Sequence, residues 1–189
     1  MKRIFDFVLS LIGLLIILPI IGVLSLLVLI LDGWPVFFVQ KRVGLHGKPF
    51  WMYKFRSMRS KPGASLTIGA DSRITPLGGF LRKFKLDELP QLFNVFKGEM
   101  SFVGPRPEVE EFVALYNSDQ KKVLELMPGI TDPASLKYFS ESELLAKSPD
   151  PRRHYIEEIM PDKIRINLEY ASRANLVSDL RMIIKTVFH

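Results

Sequence analysis

The sequence lacks several motifs on which common enzymes depend. It has no cysteine, which excludes disulfide frameworks, thiolate nucleophiles and cysteine-ligated zinc. It has no Gly-x-Gly-x-x-Gly, and the run Gly44–Lys48 has the wrong spacing for a P-loop. No two aspartates are separated by a single residue, so the Asp-x-Asp metal motif of many glycosyltransferases is missing. The three histidines, His46, His154 and His189, are too far apart in sequence to predict a metal site.

The composition is that of one folded, basic domain. The chain has 189 residues, of which 48% are hydrophobic and 24% are charged, which excludes a disordered or low-complexity protein. Lysine and arginine total 26 against 20 acidic residues, which gives a formal net charge of +6. This excess predicts an anionic partner: phosphate, nucleic acid or lipid headgroups.

The apolar residues are concentrated near the N-terminus. The run from Phe7 to Leu31 contains no charged residue. At about 1.5 Å per residue, a helix of that length reaches roughly 37 Å, which exceeds the ~30 Å hydrocarbon core of a bilayer. The run is too long for a secretory signal, and no small-residue cleavage site follows it. The sequence therefore predicts a membrane segment.

Two arrangements of this segment in a bilayer fit the sequence. Lys2 and Arg3 precede it and a series of basic residues begins at Lys41, and basic flanks favour the cytoplasmic side. Pro19 lies near the middle, where a proline removes a helix hydrogen bond and kinks or breaks the helix. A broken helix can enter and leave on one face, whereas a kinked helix can cross once. The residues alone leave both open.

Local patterns predict the elements that follow. The two short helices after Pro76 are apolar with basic edges, which suits either the headgroup plane of a membrane or the protein core. The last helix has an apolar stripe at helical spacing. The predicted elements are strands at 36–40 and 50–55, a loop at 60–75, helices at 76–84, 87–97, 108–127 and 176–187, and mostly irregular chain at 130–153.

The strongest chemical candidate is the adjacent pair Asp87 and Glu88 in the stretch Leu86–Gln91. Aspartate is a favoured N-cap, so one interpretation is a capping Asp87 with an exposed Glu88 beside it. The functional interpretation uses the partial positive charge of a helix N-terminus and the nearby Arg82 and Lys85, which favour an ionised Asp87 and attract phosphate. Such a carboxylate can attack phosphorus to form an acyl phosphate, and Glu88 can hold Mg²⁺.

Two basic motifs are candidates for phosphate binding. In Gly104–Pro107, prolines on both sides of Arg106 fix the backbone and leave a guanidinium fork suited to phosphate. In Tyr53–Arg59, cations alternate with apolar residues, which on a strand places Lys54 and Arg56 on one face. The alternatives are a rigid turn with an incidental arginine and a solvated basic strand beside anionic lipid.

The combined pattern resembles the bacterial sugar transferases, the small monotopic phosphoglycosyl transferases. The resemblance covers essentially the whole chain, and its most specific part is the stretch from 86 to 107. It is carried by Lys-Arg-Ile-Phe-Asp at 2–6, the apolar segment with its proline, Val-Gly at 43–44, Tyr-Lys-Phe-Arg-Ser-Met at 53–58, Leu-Asp-Glu-Leu-Pro-Gln-Leu-Phe-Asn-Val at 86–95, Lys-Gly-Glu-Met-Ser-Phe-Val-Gly-Pro-Arg-Pro at 97–107 and Pro-Gly-Ile-Thr at 128–131.

The resemblance implies an enzyme that transfers a sugar-1-phosphate from a UDP-sugar to polyprenol (undecaprenyl) phosphate and releases UMP. This would be the first membrane step of glycoconjugate assembly, and it would pass through a covalent phosphosugar-aspartyl intermediate. The implied site consists of Asp87 as nucleophile, Glu88 as its partner with a metal or proton-handling role, Mg²⁺ at this pair, Lys54, Arg82 and Arg106 as phosphate-binding residues, and Asp179, which matches a family aspartate near the last helix. Arg56 joins the phosphate-binding candidates from the basic strand.

The expected fold is α+β. A re-entrant helix-break-helix anchor at 1–34 would precede a mostly helical cytoplasmic catalytic domain at 35–189, with a small β-hairpin and interfacial amphipathic helices. The expected location is the cytoplasmic face of the bacterial inner membrane, as a monotopic protein. The expected partners are a UDP-sugar, polyprenol phosphate and the phospholipid membrane, with no nucleic acid, and the sequence allows a homodimer.

Two departures from the family pattern limit what the resemblance implies. Leu18-Pro19 stands where many members break the hairpin at Ser-Pro, and the run Asp132–Tyr138 differs from the usual continuation after Pro-Gly-Ile-Thr, so the sugar cannot be inferred. Two rival functions stay open at this point. One is a membrane-tethered basic protein that binds lipid or nucleic acid without catalysis, and the other is a glycosyltransferase that releases UDP.

Overall fold

The chain divides into two compact units. The computed structural model describes residues 1–59 and 66–188, so the first part of the loop predicted at 60–75 lies outside the described residues. Unit 1 contains residues 1–41, 51–59 and 71–100, and unit 2 contains residues 42–50, 66–70 and 101–188. The predicted division at 34/35 separates an anchor from a catalytic part, and it stays a prediction.

The described residues form a mixture of helices and small sheets, as the α+β prediction required. The helices are α1 (Lys2–Leu31), α2 (Pro76–Lys83), α3 (Gln91–Lys97), α4 (Glu110–Val113), α5 (Pro133–Lys137), α6 (Glu141–Ala146), α7 (Pro151–His154), α8 (Met160–Ala171) and α9 (Leu176–Val187), and the strands are β1 (Phe37–Val43), β2 (Pro49–Phe55), β3 (Ser101–Val103) and β4 (Gly129–Thr131).

Helix α1 carries the apolar run. Among the described residues it is the one helix long and apolar enough to cross a membrane, with a mean hydropathy of 3.2 in its most apolar window. It is helical throughout, Pro19 included, so the predicted interruption is not seen in its secondary structure and the re-entrant path stays a prediction. One stripe is buried, at Asp6, Ser10, Leu14, Ile21, Leu24 and Val28, while much of the remaining surface exposes large aliphatic side chains.

Both ends of α1 are hydrogen-bonded to other parts of unit 1. Near the N-terminus, Arg3 donates from Nη1 to the carbonyl of Val95 at 2.6 Å and from Nη2 to that of Phe96 at 2.9 Å. Just past the C-terminus, the Asp32 carboxylate accepts a 2.8 Å hydrogen bond from the Thr75 hydroxyl. The middle of the helix packs into an apolar cluster formed by Ile21, Leu24, Val28, Val36, Phe55 and Leu81.

The predicted hairpin is confirmed. Strands β1 and β2 form a two-stranded sheet, and a 3₁₀ turn at Leu45–Gly47 lies between them. The helix predicted from Pro76 is confirmed as α2, because Thr75 caps it: the Thr75 hydroxyl accepts from the amide of Gly78 at 2.8 Å. The predicted stop at Gly98 is also confirmed, since Gly98 ends α3 with a φ of 87° in the left-handed region.

The second sheet was not predicted. Strands β3 and β4 pair in parallel, with Ser101 opposite Gly129 and Val103 opposite Thr131. The backbone just after β3 comes close to the backbone just before β4, because a Cβ on Gly104 would lie 2.2 Å from the carbonyl oxygen of Met127. Each strand has only three residues, so neither produces the alternating pattern by which strands are identified in a sequence.

Two predictions for unit 2 are wrong. The long helix predicted at 108–127 is the four-residue α4 followed by a separate 3₁₀ segment at Gln120–Glu125. Asn117 and Gln120 interrupt it by exchanging side-chain-to-amide hydrogen bonds, each at 2.9 Å, which compete with helical bonding. The region at 130–153, predicted as mostly irregular, contains α5 and α6, and Asp132 caps α5 by accepting from the Ser135 amide at 3.0 Å.

The C-terminal part of unit 2 is helical. Helices α7 and α8 are joined by a π-helical turn at Tyr155–Ile159, and this segment packs into an apolar core with Phe112, Tyr116 and Leu145. Helix α9 has the predicted bounds and begins with a capping box at Asn175. Its predicted apolar stripe is largely on the surface, since Leu180, Ile184 and Val187 are all exposed.

Candidate active site

The Asp87–Glu88 pair lies on a tight turn between α2 and α3. The chain leaves α2 through Lys85, whose positive φ of 56° places it in the left-handed region, and continues into a 3₁₀ turn at Leu86–Glu88. Asp87 is only 5% exposed. It is not the N-cap of α3, because Pro90 occupies that position, so the interpretation of Asp87 as a plain helix cap is wrong.

Glu88 forms an ion pair with Lys54 of β2. The Lys54 Nζ lies 2.8 Å from the Glu88 Oε1, and both side chains are largely buried, at 15% and 12% exposure. A charge-assisted hydrogen bond in such a place is stronger than one in water, and losing one partner would leave the other charge buried. The structure therefore brings three predicted site residues together on the turn and the adjacent strand: Asp87, Glu88 and Lys54.

Strand β2 is held against α3 by the side chain of Asn94, which is fully buried. Its Oδ1 accepts from the amide of Tyr53 at 3.1 Å, and its Nδ2 donates to the carbonyl of Trp51 and to the Glu99 carboxylate, both at 2.7 Å. Every hydrogen-bonding atom of the amide is thus used. Because Lys54 directly follows Tyr53, this contact fixes where Lys54 meets the Asp87–Glu88 turn.

Arg56 follows β2 and donates to consecutive main-chain carbonyls just after α1. Its Nη2 lies 2.5 Å from the carbonyl oxygens of Asp32 and Gly33, and its Nη1 lies 2.8 Å from that of Trp34. These acceptors include the negative end of the α1 dipole, where a cation is favourable. The contacts give Arg56 a structural role in unit 1, and its predicted role in phosphate binding stays a prediction.

Arg82 lies in the last turn of α2, one short connection before Asp87. Its Nη1 is 3.4 Å from the Sδ of Met58, which is a weak contact. Nearby, Asp71 binds Arg73 through both carboxylate oxygens, and this hydrogen bond lowers the pKa of Asp71 to about 2, with a smaller contribution from the charge of Arg82. The cations directly before the turn are Arg82 and Lys83 in the last turn of α2 and Lys85 at the start of the turn.

Unit 2 holds the two other predicted site residues. Arg106 lies in the Gly104–Pro107 loop, whose backbone is fixed on both sides: the Gly104 amide donates to Thr131 at 3.0 Å, and the carbonyl of Pro105 accepts from Gly129 at 3.0 Å. This confirms the rigid turn that the two prolines predicted. Its role in phosphate binding stays a prediction.

Asp179 lies in the first turn of α9 and is 3% exposed. Its Oδ1 accepts a 2.8 Å hydrogen bond from the hydroxyl of Tyr170. Burial and the hydrogen bond to the Asp179 carboxylate raise the pKa of Tyr170 to about 12, so the Tyr170 hydroxyl stays protonated and donates a hydrogen bond at any physiological pH. The contact joins the end of α8 to the start of α9.

The carboxylates of the turn suit Mg²⁺ in type and number. Among residues 1–59 and 66–188 no group of three or more histidine, cysteine, aspartate or glutamate side chains could hold a metal by itself. Mg²⁺ does not need such a cage, because it commonly keeps several waters and binds one or two carboxylates plus substrate phosphate oxygens. Asp87 and Glu88 carry adjacent carboxylates of the kind that this mode of binding uses.

Sequence reasoning missed two buried polar residues beside the pair, Gln91 and Asn94. They follow Glu88 at intervals of three residues, and both are essentially inaccessible, at 1% and 0% exposure. The signal that would have identified them is this spacing, which places three polar side chains in one row along a helical segment. The apolar residues among which they lie, such as Leu92 and Val95, hide the row when the sequence is scanned for hydrophobicity.

Comparisons with known proteins identify the family to which the chain is similar. The family model described as bacterial sugar transferase matches residues 1–189. UDP-glucose:undecaprenyl-phosphate glucose-1-phosphate transferases are similar to the chain: that of Xanthomonas campestris pv. campestris is 37% identical over 196 residues, and that of Escherichia coli (strain K12) is 34% identical over 199. An undecaprenyl-phosphate galactose phosphotransferase of Salmonella typhimurium is 42% identical over 149 residues.

These alignments cover 98%, 100% and 69% of this chain, respectively. The chain spans only 37%, 39% and 31% of the length of the three relatives. The similarity therefore concerns one part of each longer protein. Because the family match covers residues 1–189, the chain belongs to the bacterial sugar transferase family and is a transferase.

Proposed function

We propose that this chain transfers a sugar-1-phosphate from a UDP-sugar to polyprenol phosphate and releases UMP. The observation that carries the proposal is the buried Asp87 beside the Glu88–Lys54 ion pair, on a turn that follows the basic last turn of α2. The names of the relatives, which include both UDP-glucose:undecaprenyl-phosphate and galactose transferases, support this reaction class. They differ in the sugar, so the sugar is left unspecified.

The reaction would proceed in two displacements at the same phosphorus. In the first, a carboxylate oxygen of Asp87 bonds to the β-phosphorus of the UDP-sugar, and the bond from that phosphorus to the bridging oxygen breaks, so UMP leaves with the electron pair. In the second, an oxygen of polyprenol phosphate bonds to the phosphorus and the bond to Asp87 breaks, which restores the carboxylate. Covalent catalysis of this kind divides one difficult transfer into two easier ones.

The residues of the turn would divide the remaining tasks. Lys54 supplies positive charge near the phosphoryl oxygens, and its ion pair with Glu88 holds it in place before the donor binds. Asp87 and Glu88 would hold Mg²⁺, which when bound supplies further positive charge to the phosphate oxygens. Arg82 and Arg106 are proposed as additional phosphate-binding cations.

The arrangement of α1 supports attachment to one face of the membrane. Its two ends and its C-terminal half all contact other parts of unit 1: Arg3 reaches α3, the carbonyls after Leu31 accept from Arg56, and Ile21 shares an apolar cluster with Phe55. If α1 crossed the bilayer as an isolated span, its two ends would lie on opposite sides of the ~30 Å hydrocarbon core, and one end could not contact the rest of unit 1. We propose that α1 and unit 1 enter the same leaflet from the cytoplasmic side, which would keep Asp87 near headgroup depth, where polyprenol phosphate is confined.

The test is the identity of the released nucleotide. Full-length protein in lipid nanodiscs is incubated with polyprenol phosphate and a panel of UDP-sugars, with and without a chelator, and UMP and UDP are measured separately. UMP release with one donor is expected, together with an added sugar-phosphate mass on the protein when donor is supplied alone. Release of UDP instead would contradict the proposal and favour a glycosyltransferase.

The nucleophile is tested by Asp87→Asn, which keeps the size of the side chain and removes its charge. It is expected to abolish both the mass adduct and UMP release. Asp119→Asn is the matched control, because Asp119 is a surface carboxylate, 84% exposed, that pairs with the surface residue Lys122. An active Asp87→Asn enzyme would refute the assignment, whereas loss of activity in the control would show a non-specific effect of the substitution.

A further inference from the structure

A row of polar side chains runs along the segment that begins at the Asp87–Glu88 turn. Residues three apart lie nearly above one another on a 3₁₀ helix, and they are close neighbours on an α-helix. The backbone from the turn into α3 uses three-residue hydrogen bonds, for example from Leu92 to Leu89 and from Phe93 to Pro90. The members of the row, at intervals of three, are Glu88, Gln91, Asn94 and Lys97.

Three members of the row have partners in or beside β2. Glu88 binds Lys54 at 2.8 Å, and Asn94 binds the backbone of β2 at two points. Lys97 approaches the hydroxyl of Tyr53 at 3.5 Å and lies over its ring at 5.3 Å. The row therefore faces β2, and the position of Gln91 in it lies between the Lys54–Glu88 ion pair and the Asn94 contact.

Gln91 is the exception in this row. It is 1% exposed, and its Nε2 is the one buried side-chain nitrogen or oxygen among the described residues that has no hydrogen-bond partner. Leaving a buried donor unsatisfied is costly, and an apolar side chain of the same size would avoid that cost. A group of this kind in a native protein calls for an explanation, and one explanation is a ligand that satisfies it.

The direction of helical side chains indicates which ligand would accept a hydrogen bond from Gln91. Side chains on a helix lean toward its N-terminus, so Gln91 lies over the preceding turn, which carries Asp87 and Glu88 four and three residues earlier. The group that would occupy the space beside these carboxylates is the phosphoryl group in transfer, whose non-bridging oxygens are strong acceptors. An amide adds a fixed, neutral donor there without further repulsion of the cation Lys54.

We propose that Gln91 binds the transferred phosphoryl group, with its Nε2 donating a hydrogen bond to a non-bridging oxygen of the phosphorus bonded to Asp87. This inference rests on the proposed function and adds a phosphate-binding residue to it. The proposed hydrogen bond forms only when the phosphoryl group is bound. Removing the amide of Gln91 should therefore lower activity. It should leave the unfolding free energy of the ligand-free protein unchanged or raise it.

The test is Gln91→Met, which keeps the length of the side chain and removes its polar atoms. A fall of about 10- to 100-fold in kcat/KM for UMP release is expected, the range set by the loss of one hydrogen bond to a charged group. The thermal midpoint without ligand is expected to be equal to or higher than that of the wild type. Gln91→Glu, which replaces the donor by an anion beside the phosphate, is expected to lose more activity than Gln91→Met.

Gln120→Met is the matched control, because Gln120 makes a reciprocal hydrogen bond with Asn117 far along the chain in unit 2. It is expected to lower the thermal midpoint slightly and to leave kcat/KM unchanged, the reverse of the pattern at Gln91. Wild-type kinetics in Gln91→Met would overturn the proposal. So would a thermal midpoint that falls in proportion to activity, since that pattern indicates a purely structural glutamine.

A second measurement separates this inference from the proposed function. UDP carries a terminal phosphate and is used as a probe in thermal-shift titrations of wild type and Gln91→Met. A stabilising shift in the wild type that is lost or reduced in Gln91→Met supports phosphate binding by Gln91 whether or not UMP is ever released. Equal shifts in the two proteins refute it, while an absence of UMP release from the wild type refutes the proposed function.

Discussion

Two adjacent glycines in α2 should respond in opposite ways to the same substitution. A Cβ on Gly78 would lie 2.0 Å from the carbonyl oxygen of Ser57 and 2.6 Å from its carbonyl carbon, whereas a Cβ on Gly79 would have Ile74 Cγ2, at 3.9 Å, as its nearest neighbour. Ordinary contacts between carbon and oxygen are about 3.3 Å or longer. Gly78→Ala therefore requires a movement of more than about 1 Å between α2 and the chain at Ser57.

That movement is opposed by hydrogen bonds on both sides of the contact. The carbonyl of Ser57 accepts from the Thr75 amide at 3.2 Å, and the Thr75 hydroxyl accepts from Gly78 and donates to Asp32, both at 2.8 Å. Forcing an extra carbon into packed structure costs about 1–3 kcal/mol. Loss of a helix cap adds about 1 kcal/mol. Replacing glycine in a helix returns nearly 1 kcal/mol.

The expected net loss for Gly78→Ala is about 1–3 kcal/mol, whereas Gly79→Ala is expected to gain up to about 1 kcal/mol from helix propensity alone. A difference of about 3 kcal/mol corresponds to roughly 6–12 °C in the thermal midpoint of a chain of this size. Both variants are compared by thermal unfolding of the full chain in one nonionic detergent. A Gly78→Ala protein that melts with or above Gly79→Ala would refute the close approach and the reasoning built on it.

Two further predictions concern charged contacts in unit 1. Arg3→Lys keeps the positive charge but loses the fork that holds the carbonyls of Val95 and Phe96, so we expect a loss of about 1–2 kcal/mol in unfolding free energy; urea unfolding that matches wild type would mean that only the charge matters. Arg73 lowers the pKa of Asp71 to about 2, so ionised Asp71 stabilises the fold. Asp71→Asn should therefore destabilise at pH 7, and the difference from wild type should shrink as pH falls from about 4 toward 2; a pH-independent difference in unfolding curves would contradict this.

Elements with strong local signals were predicted from sequence. Helix α9 has a regular apolar repeat and a capping asparagine, and both its bounds were right. Helix α2 begins at Thr75-Pro76, where the threonine caps and the proline suits the first turn. In each case the signal lies within the element itself, so no knowledge of the rest of the fold was needed.

Elements whose signal is distant or ambiguous in the sequence were missed. The pairing of β3 with β4 depends on two glycines, since a Cβ on Gly129 would lie 2.2 Å from the amide nitrogen of Gly104. Neither three-residue segment contains a sequence signal that predicts this close contact between the two backbones. The interruption of the helix predicted at 108–127 depends on Asn117 and Gln120, whose side chains bind each other's backbone. Because polar residues such as these also occur within helices, the sequence does not show whether the helix continues or stops there.

In the candidate site, too, the sequence indicated the residues with a local signal but not the contacts between residues far apart in the chain. The sequence singled out Asp87 and Glu88 as candidates, because two adjacent carboxylates lie near a predicted helix start with cations upstream, and their catalytic role stays a prediction. It did not reveal that Glu88 pairs with Lys54, which comes 34 residues earlier. It also assigned Arg56 to phosphate, although in the structure its guanidinium binds main-chain carbonyls after α1. When two interacting side chains are far apart in sequence, the pairing can be identified only from the folded structure.

The contacts of α1 make it part of the structure that positions Asp87. Arg3 binds the last carbonyls of α3, and α3 continues directly from the turn that carries Asp87. Farther along α1, Leu24 and Val28 share one apolar cluster with Leu81, which lies on the helix preceding that turn. Both flanks of the turn therefore rest on the same long apolar helix. A simple tether would need no such contacts, whereas this arrangement makes the geometry around Asp87 depend on the position of α1.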